Sequence, residues 1–493
     1  MMCGLLGVMA SFLAQPVLGY APCEKKKLYG DPAAVSYTYS RWNGGNHVLP
    51  SPAPYIADYF IDSKALGVTM TKPQDVAADS KGNFYISDSG ANRIICTDSE
   101  FNVQRIMEDF SANGVKETFS NPSGCYVTEK GEVYVADTDN SRIVVLDAAG
   151  KWIRTIGTPD SDILDDDFKF HPQKVAVDNA GRIYVVAKGV FEGIMVFYED
   201  GTFSGFIGSM PVTASPLEIL WKSILTQKQK QKVEQYIPVE YTNLFLDDAS
   251  FIYAVSLSTK NENPIRRLNM GGQDILIRNS LSNTPVAGDV PLDYTVSITG
   301  KSQFVDICAD SSNVYYALDG KRGRIFAYDV DGNLLLEFGG LNSNQYGTFK
   351  KPTAIFMVGD NIGILDSEQA AITVFRPTDY VKYIQQGLYT YQESDYEQSI
   401  AKWQEVLKIN GNFDLAYSKI GMSLYRLERY EEAMTYFEQG LDKEHFSKAF
   451  NQYRKVFLRE NLGMIITIAV SIVALLVTAF LVYKRIRKRR TVQ

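Results

Sequence analysis

Three histidines, His47, His171 and His445, are all that this 493-residue chain contains, and that scarcity bounds its chemistry. A zinc centre built from three imidazoles is excluded, because only His171 falls in the long central part of the chain. The sequence has no G-x-S-x-G elbow, no phosphate-binding glycine loop and no histidine-paired nucleophile. What remains is oxygen chemistry. Asp75, Asp306 and the Asp247–Asp248 pair lie on apolar, β-rich stretches, and residues 160–167 (DSDILDDD) form an acidic run. Carboxylates and amides converging from several segments are the donors a calcium ion takes, although an acidic run by itself reads as a solvated loop. Of the five cysteines, Cys3 falls in an N-terminal apolar run. Cys23, Cys96, Cys125 and Cys308 lack any C-x-x-C spacing and read as free thiols.

The elements that would position such groups begin with the two ends. Residues 3–19 are uncharged and of signal-peptide length, with small residues at Val17 and Gly19 before Tyr20. The expectation is a signal peptide over 1–19. Residues 461–483 also carry no charge, and 23 helical residues span about 34 Å, enough for a roughly 30 Å hydrocarbon core. The next seven residues, KRIRKRR, hold six basic side chains, which predicts a cytoplasmic tail at 484–493 by the positive-inside rule. Everything between the two apolar ends is then outside. The net charge is −7, so with six positive charges in the tail the stretch 20–483 holds −13. That acidity argues against nucleic acid as a partner.

Between the ends a phrase repeats at intervals of about fifty residues. It reads KPQDVAADSKGNFYISDSGANRII at 72–95, NPSGCYVTEKGEVYVADTDNSRIVVLD at 121–147 and HPQKVAVDNAGRIYVVAKGVFEGIMVF at 171–197. Weaker copies run at 243–268, 304–328 and 351–375. The turn positions are Asp79, Thr128, Asp178, Asp247, Asp310 and Val358. Three residues later stand Gly82, Gly131, Gly181, Ser250, Asn313 and Asn361, types that tolerate a tight turn. A strand follows each turn, and D-x-x-G hairpins such as Asp147–Gly150 and Asp329–Gly332 lead into further strands. Units of four strands that cannot bury their own faces stack radially.

The pattern P-x-x-V-A-x-D-x-x-G-x-(I/V)-Y-V-x-D-x-x-x-x-R-I resembles the NHL repeat. The resemblance implies a mainly β fold, a six-bladed NHL-type β-propeller over 68–378. It also implies a structural role for the pairs Asp88/Arg93 and Asp137/Arg142. Copy three departs, with Ala187 for the Asp, and copy six has Ala371 where Arg belongs. Two insertions stretch the spacing: a helical one at 214–236, with Leu217, Leu220, Trp221, Ile224 and Leu225 on one face, and a long loop at 279–302. The Pro-, Gly- and aromatic-rich stretch 38–55, within an extension 20–67, is expected to clasp the propeller and to supply a strand to its last blade.

After the propeller the period changes to 34. Gly387, Tyr396, Ser399 and Trp403 recur as Gly421, Tyr430, Ala433 and Phe437. This resembles the tetratricopeptide repeat and implies an α-helical pair within 379–460, closed by a capping helix. The combined architecture is similar to that of exported Gram-positive bacterial proteins. It implies a membrane-anchored binding or scaffold protein, with an ABC-type transporter as a candidate partner and a carbohydrate or cell-wall polymer as another. The rival expectation is a membrane-tethered, divalent-cation-dependent hydrolase similar to lactonase propellers, with calcium in the channel.

Overall fold

In the computed structural model, the placement of residues 21–28, 36–40, 47–164, 168–209, 239–257, 263–278, 281, 285–289, 300–341 and 345–490 is described. The apolar N-terminal run, the helical insertion 214–236 and most of the loop 279–302 lie outside these residues, as does 165–167 of the acidic run.

Local chemistry at the turns explains the strands. In the first repeat Asp79 Oδ1 accepts from the Lys81 and Asn83 amides, both at 2.9 Å, while Gly82 takes φ +81°. A carboxylate that satisfies two turn amides fixes a tight hairpin. The same arrangement recurs at Asp178, Asp247 and Asp310. The sixth copy differs from expectation. Val358 pairs directly with Asn361, and the left-handed residue is Gly359 at φ +60° rather than Asn361. The D-x-x-G hairpins return as Gly150 and Gly332, each at φ +78°. In blade 1 that position is Phe101, at φ +65°. Its fully buried ring stacks on Phe84 at 4.5 Å, a contact that offsets the backbone strain.

Six sheets result. Blades 1, 2, 3 and 5 are four-stranded antiparallel meanders, starting at Asp75–Ala78, Pro122–Val127, Pro172–Val177 and Phe304–Ala309. Blade 4 has three strands, Tyr241–Leu246, Ile252–Ser256 and Ile265–Leu268. Where a fourth strand was expected, Asp274–Arg278 touches the third through one bridge, Leu268 to Asp274, and the Ile275 amide. Blade 6 takes Pro352–Val358, Asn361–Asp366 and Ala371–Pro377 from the end of the ring and Tyr55–Asp62 from its beginning. The closing strand thus lies at the far end of the extension. The stretch upstream of it forms a separate ribbon of Tyr37–Ser40 and His47–Pro50. Inner strands neighbour one another in cyclic order, and that of blade 6 returns to that of blade 1.

The core lies between blades. At the closure, Ile61, Ile372 and Val374 of blade 6 pack with Phe84, Ile86 and Ile95 of blade 1. Comparable clusters join blades 1 and 2, 2 and 3, and 3 and 4. Cys96, Cys125 and Cys308 are buried free thiols and Cys23 is half-buried.

A second compact unit comprises Tyr39–Leu49 and Lys382–Gln493. Its helices include Tyr396–Ile409, Asp414–Arg426, Tyr430–Gln439 and Lys443–Arg490. The last is continuous for 48 residues. Its apolar part has a mean hydropathy of 2.9 with none of it buried, long and apolar enough to cross a membrane.

Replacing Ile61 by Ala in the closing strand is expected to cost about 2–5 kcal/mol, because the side chain is wholly buried at the seam. Asp58→Ala removes only a partly exposed pair with Arg376 and should cost less than about 0.5 kcal/mol. Chemical denaturation of the detergent-solubilised chain checks both.

Candidate functional site

The axis is where residues from all six blades meet. In blades 2 to 6 the inner strand slips register by one residue near its start, bringing Gly124, Lys174, Asn243, Asp306 and Ala354 to equivalent places. Asp75 begins the inner strand of blade 1. The charged members stand on alternate blades: Asp75 on 1, Lys174 on 3 and Asp306 on 5.

Three of these side chains, Asp75, Asn243 and Asp306, have a backbone task. An innermost strand has one edge without a strand partner, and its polar groups need other partners. Asp75 Oδ2 accepts the Cys125 amide of blade 2 at 3.1 Å. Asn243 Nδ2 donates to the Val305 carbonyl of blade 5 at 3.3 Å. Asp306 Oδ2 accepts the Ile355 amide of blade 6 at 2.7 Å, and its Oδ1 accepts the Ile307 amide at 2.8 Å. Asp75, Asn243 and Asp306 thus each bond to the edge of the following blade.

Lys174 is the cation of the set. Its ammonium pairs with Asp75 Oδ1, two blades away. Gly124 makes that reach possible. A Cβ there would overlap the Gln173 carbonyl oxygen and stand 3.2 Å from Asp75 Oδ2 and 3.1 Å from Lys174 Cδ. Burial pushes Asp306 up to about 7; Lys174 opposes that shift and Asp75 adds to it. Burial acts to lower the Lys174 pKa, but Asp75 and Asp306 outweigh it and leave the pKa raised. Cys125, packed beside Asp75, is pushed up to about 12 by burial, which keeps its thiol inert.

This donor set does not fit calcium. Asp75 is held by an ammonium, Asp306 is engaged by two amides, and Asp247 is spent on the Ala249 and Phe251 amides and on Arg267. Asp248 is exposed. Among the described residues no group of three His, Cys, Asp or Glu is placed to hold a metal ion.

The Asp–Arg pairs occupy the rim of the blades. Asp88 accepts from Arg93 Nε at 2.9 Å, and Asp137 from Arg142 Nε at 2.8 Å. Their other oxygens accept the amides of Thr71 and Ser120, in the segments entering the same blades. Asp319 and Asp366 do likewise with the Gln303 and Lys350 amides. At Asp319 the guanidinium comes from Arg322, while Arg324 turns to Asp289, Tyr37 and Glu337. The Asp therefore holds the incoming chain, and the Arg is an accessory that copy six lacks.

In the helical unit, Gly387 lies under Trp403 and Gly421 under Phe437; a Cβ at either would come within 2.8 Å of the ring. Ser399 Oγ donates to the Gly387 carbonyl at 2.8 Å, and Ala433 is fully buried at the matching place. Tyr396 meets Tyr391 edge-on at 5.4 Å, and Tyr430 meets Tyr425 at 5.3 Å. The helix-connecting residues Ser394 and Glu428 both have positive φ, 63° and 60°. The 34-residue spacing is therefore a repetition of packing as well as of sequence.

Lys174 was not singled out by motif reasoning. The signal is the fourth letter of KPQD, NPSG, HPQK and KPTA, visible once the copies are aligned on their proline. Asn243 stands at the same register without a proline to mark it.

The NHL repeat pattern matches residues 119–146, the first three strands of blade 2 with the segment leading into them. No curated protein matches the chain. Among solved structures, a streptogramin B lyase is similar at 13% identity and TM-score 0.35, covering 63% of this chain and 84% of that one. Virginiamycin B lyase from Staphylococcus aureus gives 12% identity and TM-score 0.40, covering 65% and 98%. A catalytically inactive variant of that lyase with quinupristin gives 13% and 0.40, covering 72% and 98%. No chemistry of those proteins carries over at this distance.

Lys174→Met should leave two buried carboxylates without their cation and cost about 3–5 kcal/mol at pH 8. Because the folded Asp306 carboxyl holds its proton up to about pH 7, above the unfolded value near 4, its contribution is full below about pH 4 and fades as pH rises through 7. Without Lys174 that window moves upward, so the variant's deficit should shrink between pH 8 and pH 5 in thermal melts. At the rim, Asp137→Ala should cost about 2–3 kcal/mol and Arg142→Ala about 1. Equal losses in denaturation curves would refute the division of labour.

Proposed function

We propose that this chain is a membrane-tethered binding and assembly protein whose propeller and helical repeats work on the outer side of the membrane. The observation that carries the reading is the axial set. Its two carboxylates, its amide and its ammonium are committed to one another and to the edges of neighbouring blades. A channel lined this way holds the ring rigid, and recognition then falls to loops on a fixed scaffold. The helical unit, similar to tetratricopeptide repeats, supplies a protein-contact surface. A membrane transporter of the ABC type is the partner class that the architecture suggests, with a carbohydrate or cell-wall polymer as a ligand for the propeller. The uncharged stretch 461–483 and the six basic residues after it favour a single span with a cytoplasmic tail. The apolar run at 1–19 suits export.

Crosslinking the full-length protein in native membranes, beside a variant lacking 380–441, tests the proposal. The expected result is one enriched membrane or envelope protein that is lost with the deletion. Enrichment of nothing above background, together with calcium-dependent hydrolysis of lactones by the purified protein, would replace assembly by the hydrolase reading.

A further inference from the structure

The helical unit contains a piece of chain from far upstream. Residues Tyr39–Leu49 belong to it, although more than 300 residues separate them from its first helix. Ser40 Oγ donates to Asp414 Oδ2 at 2.7 Å. Asp414 is the first residue of the helix Asp414–Arg426, whose N-cap, Phe413, offers no side-chain cap. Tyr39 and Ser40 are 8% and 5% exposed, whereas three of the four residues of the facing strand, His47–Pro50, are exposed. The two strands form a ribbon that joins no blade. A two-stranded ribbon is marginal in water by itself, so its hold depends on what its buried residues touch. A hydroxyl donating to a half-buried carboxylate is a charge-assisted bond, stronger than a neutral one.

We propose that this end of the helix array is a docking point for an extended segment presenting a hydroxyl residue next to an aromatic one, and that Tyr39–Ser40 occupy it in cis until a partner's segment replaces them. The inference rests on the reading of the helical unit as a partner-contact surface. The chemistry sets the selectivity. Asp414 accepts from a serine or threonine hydroxyl and repels an acidic residue at the same place. The resident segment competes as a tethered ligand, at an effective concentration on the order of millimolar. A partner must therefore outbind it, or arrive already concentrated at the membrane.

A fluorescent peptide of residues 36–50, added to the purified full-length protein, is the probe. The expected result is weak binding to the native chain and about tenfold tighter binding to Ser40→Ala, with Ser40→Thr close to native. Adding Asp414→Ala to Ser40→Ala should abolish that gain while the circular dichroism of the helices is kept. Hydrogen exchange over 414–426 should quicken in Ser40→Ala and slow again with peptide. Equal affinity for the native chain and Ser40→Ala would overturn the proposal, as would a double variant that binds like the single one. If the peptide fails while the crosslinked partner is still lost on deleting 380–441, the docking inference falls and the assembly reading stands.

Discussion

A ring of radial sheets leaves one problem at its centre. Six innermost strands turn their backbone edges toward a common axis where no further strand can pair with them. Here the preceding blade supplies the missing partners through side chains: Asp75 for the Cys125 amide, Asn243 for the Val305 carbonyl and Asp306 for the Ile355 amide. Acceptors strong enough for that task bring negative charge into a buried place, and the charge needs a cation. Lys174 provides it, and Gly124 keeps the way clear. The polarity of the axis is thus a consequence of holding the blades together. The rim repeats the logic with other residues, since each blade-entry Asp spends its carboxylate on incoming backbone.

The readability of these features in the sequence follows their range. Turn residues act within five positions, so Asp79, Asp178 and Gly82 announced the hairpins directly. Asp88 and Arg93 face each other across a two-strand register and were readable for the same reason. The axial set is different, because its successive polar members lie 63 to 99 residues apart in the chain and meet only when the blades are arranged around the axis. Asp75 and Asp306 could be suspected as acids on inner strands, but Lys174, whose ammonium pairs with Asp75, could not. The closing strand Tyr55–Asp62 carries no repeat signature of its own. It is recognised by its partner Ala371–Pro377, and the sequence could place it only within a broad extension. Blade 4 lost its fourth strand for a similar reason: Asp274 and Arg278 satisfy the edge of the third strand with side chains, which no strand pattern predicts.

The helical unit shows the opposite case, in which sequence period and packing coincide. Glycine under an indole or phenyl ring is a steric requirement, so Gly387 with Trp403 and Gly421 with Phe437 had to appear in matched pairs. The tyrosine pairs and the positive-φ connectors obey the same interval. What the interval could not give was the inclusion of Tyr39–Leu49, where Ser40 meets Asp414 across 374 residues of chain.

The position of the closing strand has a consequence for how the protein is made. Tyr55–Asp62 leaves the ribosome before any blade, yet its partner Ala371–Pro377 is the last strand of the ring to be synthesised. At roughly 5–20 residues per second the two are separated by about 15–60 s of translation. Through that interval a strand reading YIADYFID lacks its blade partner while blade after blade emerges beside it. The chain therefore begins life with its seam open, and the ring can become a ring only near the end of its own synthesis.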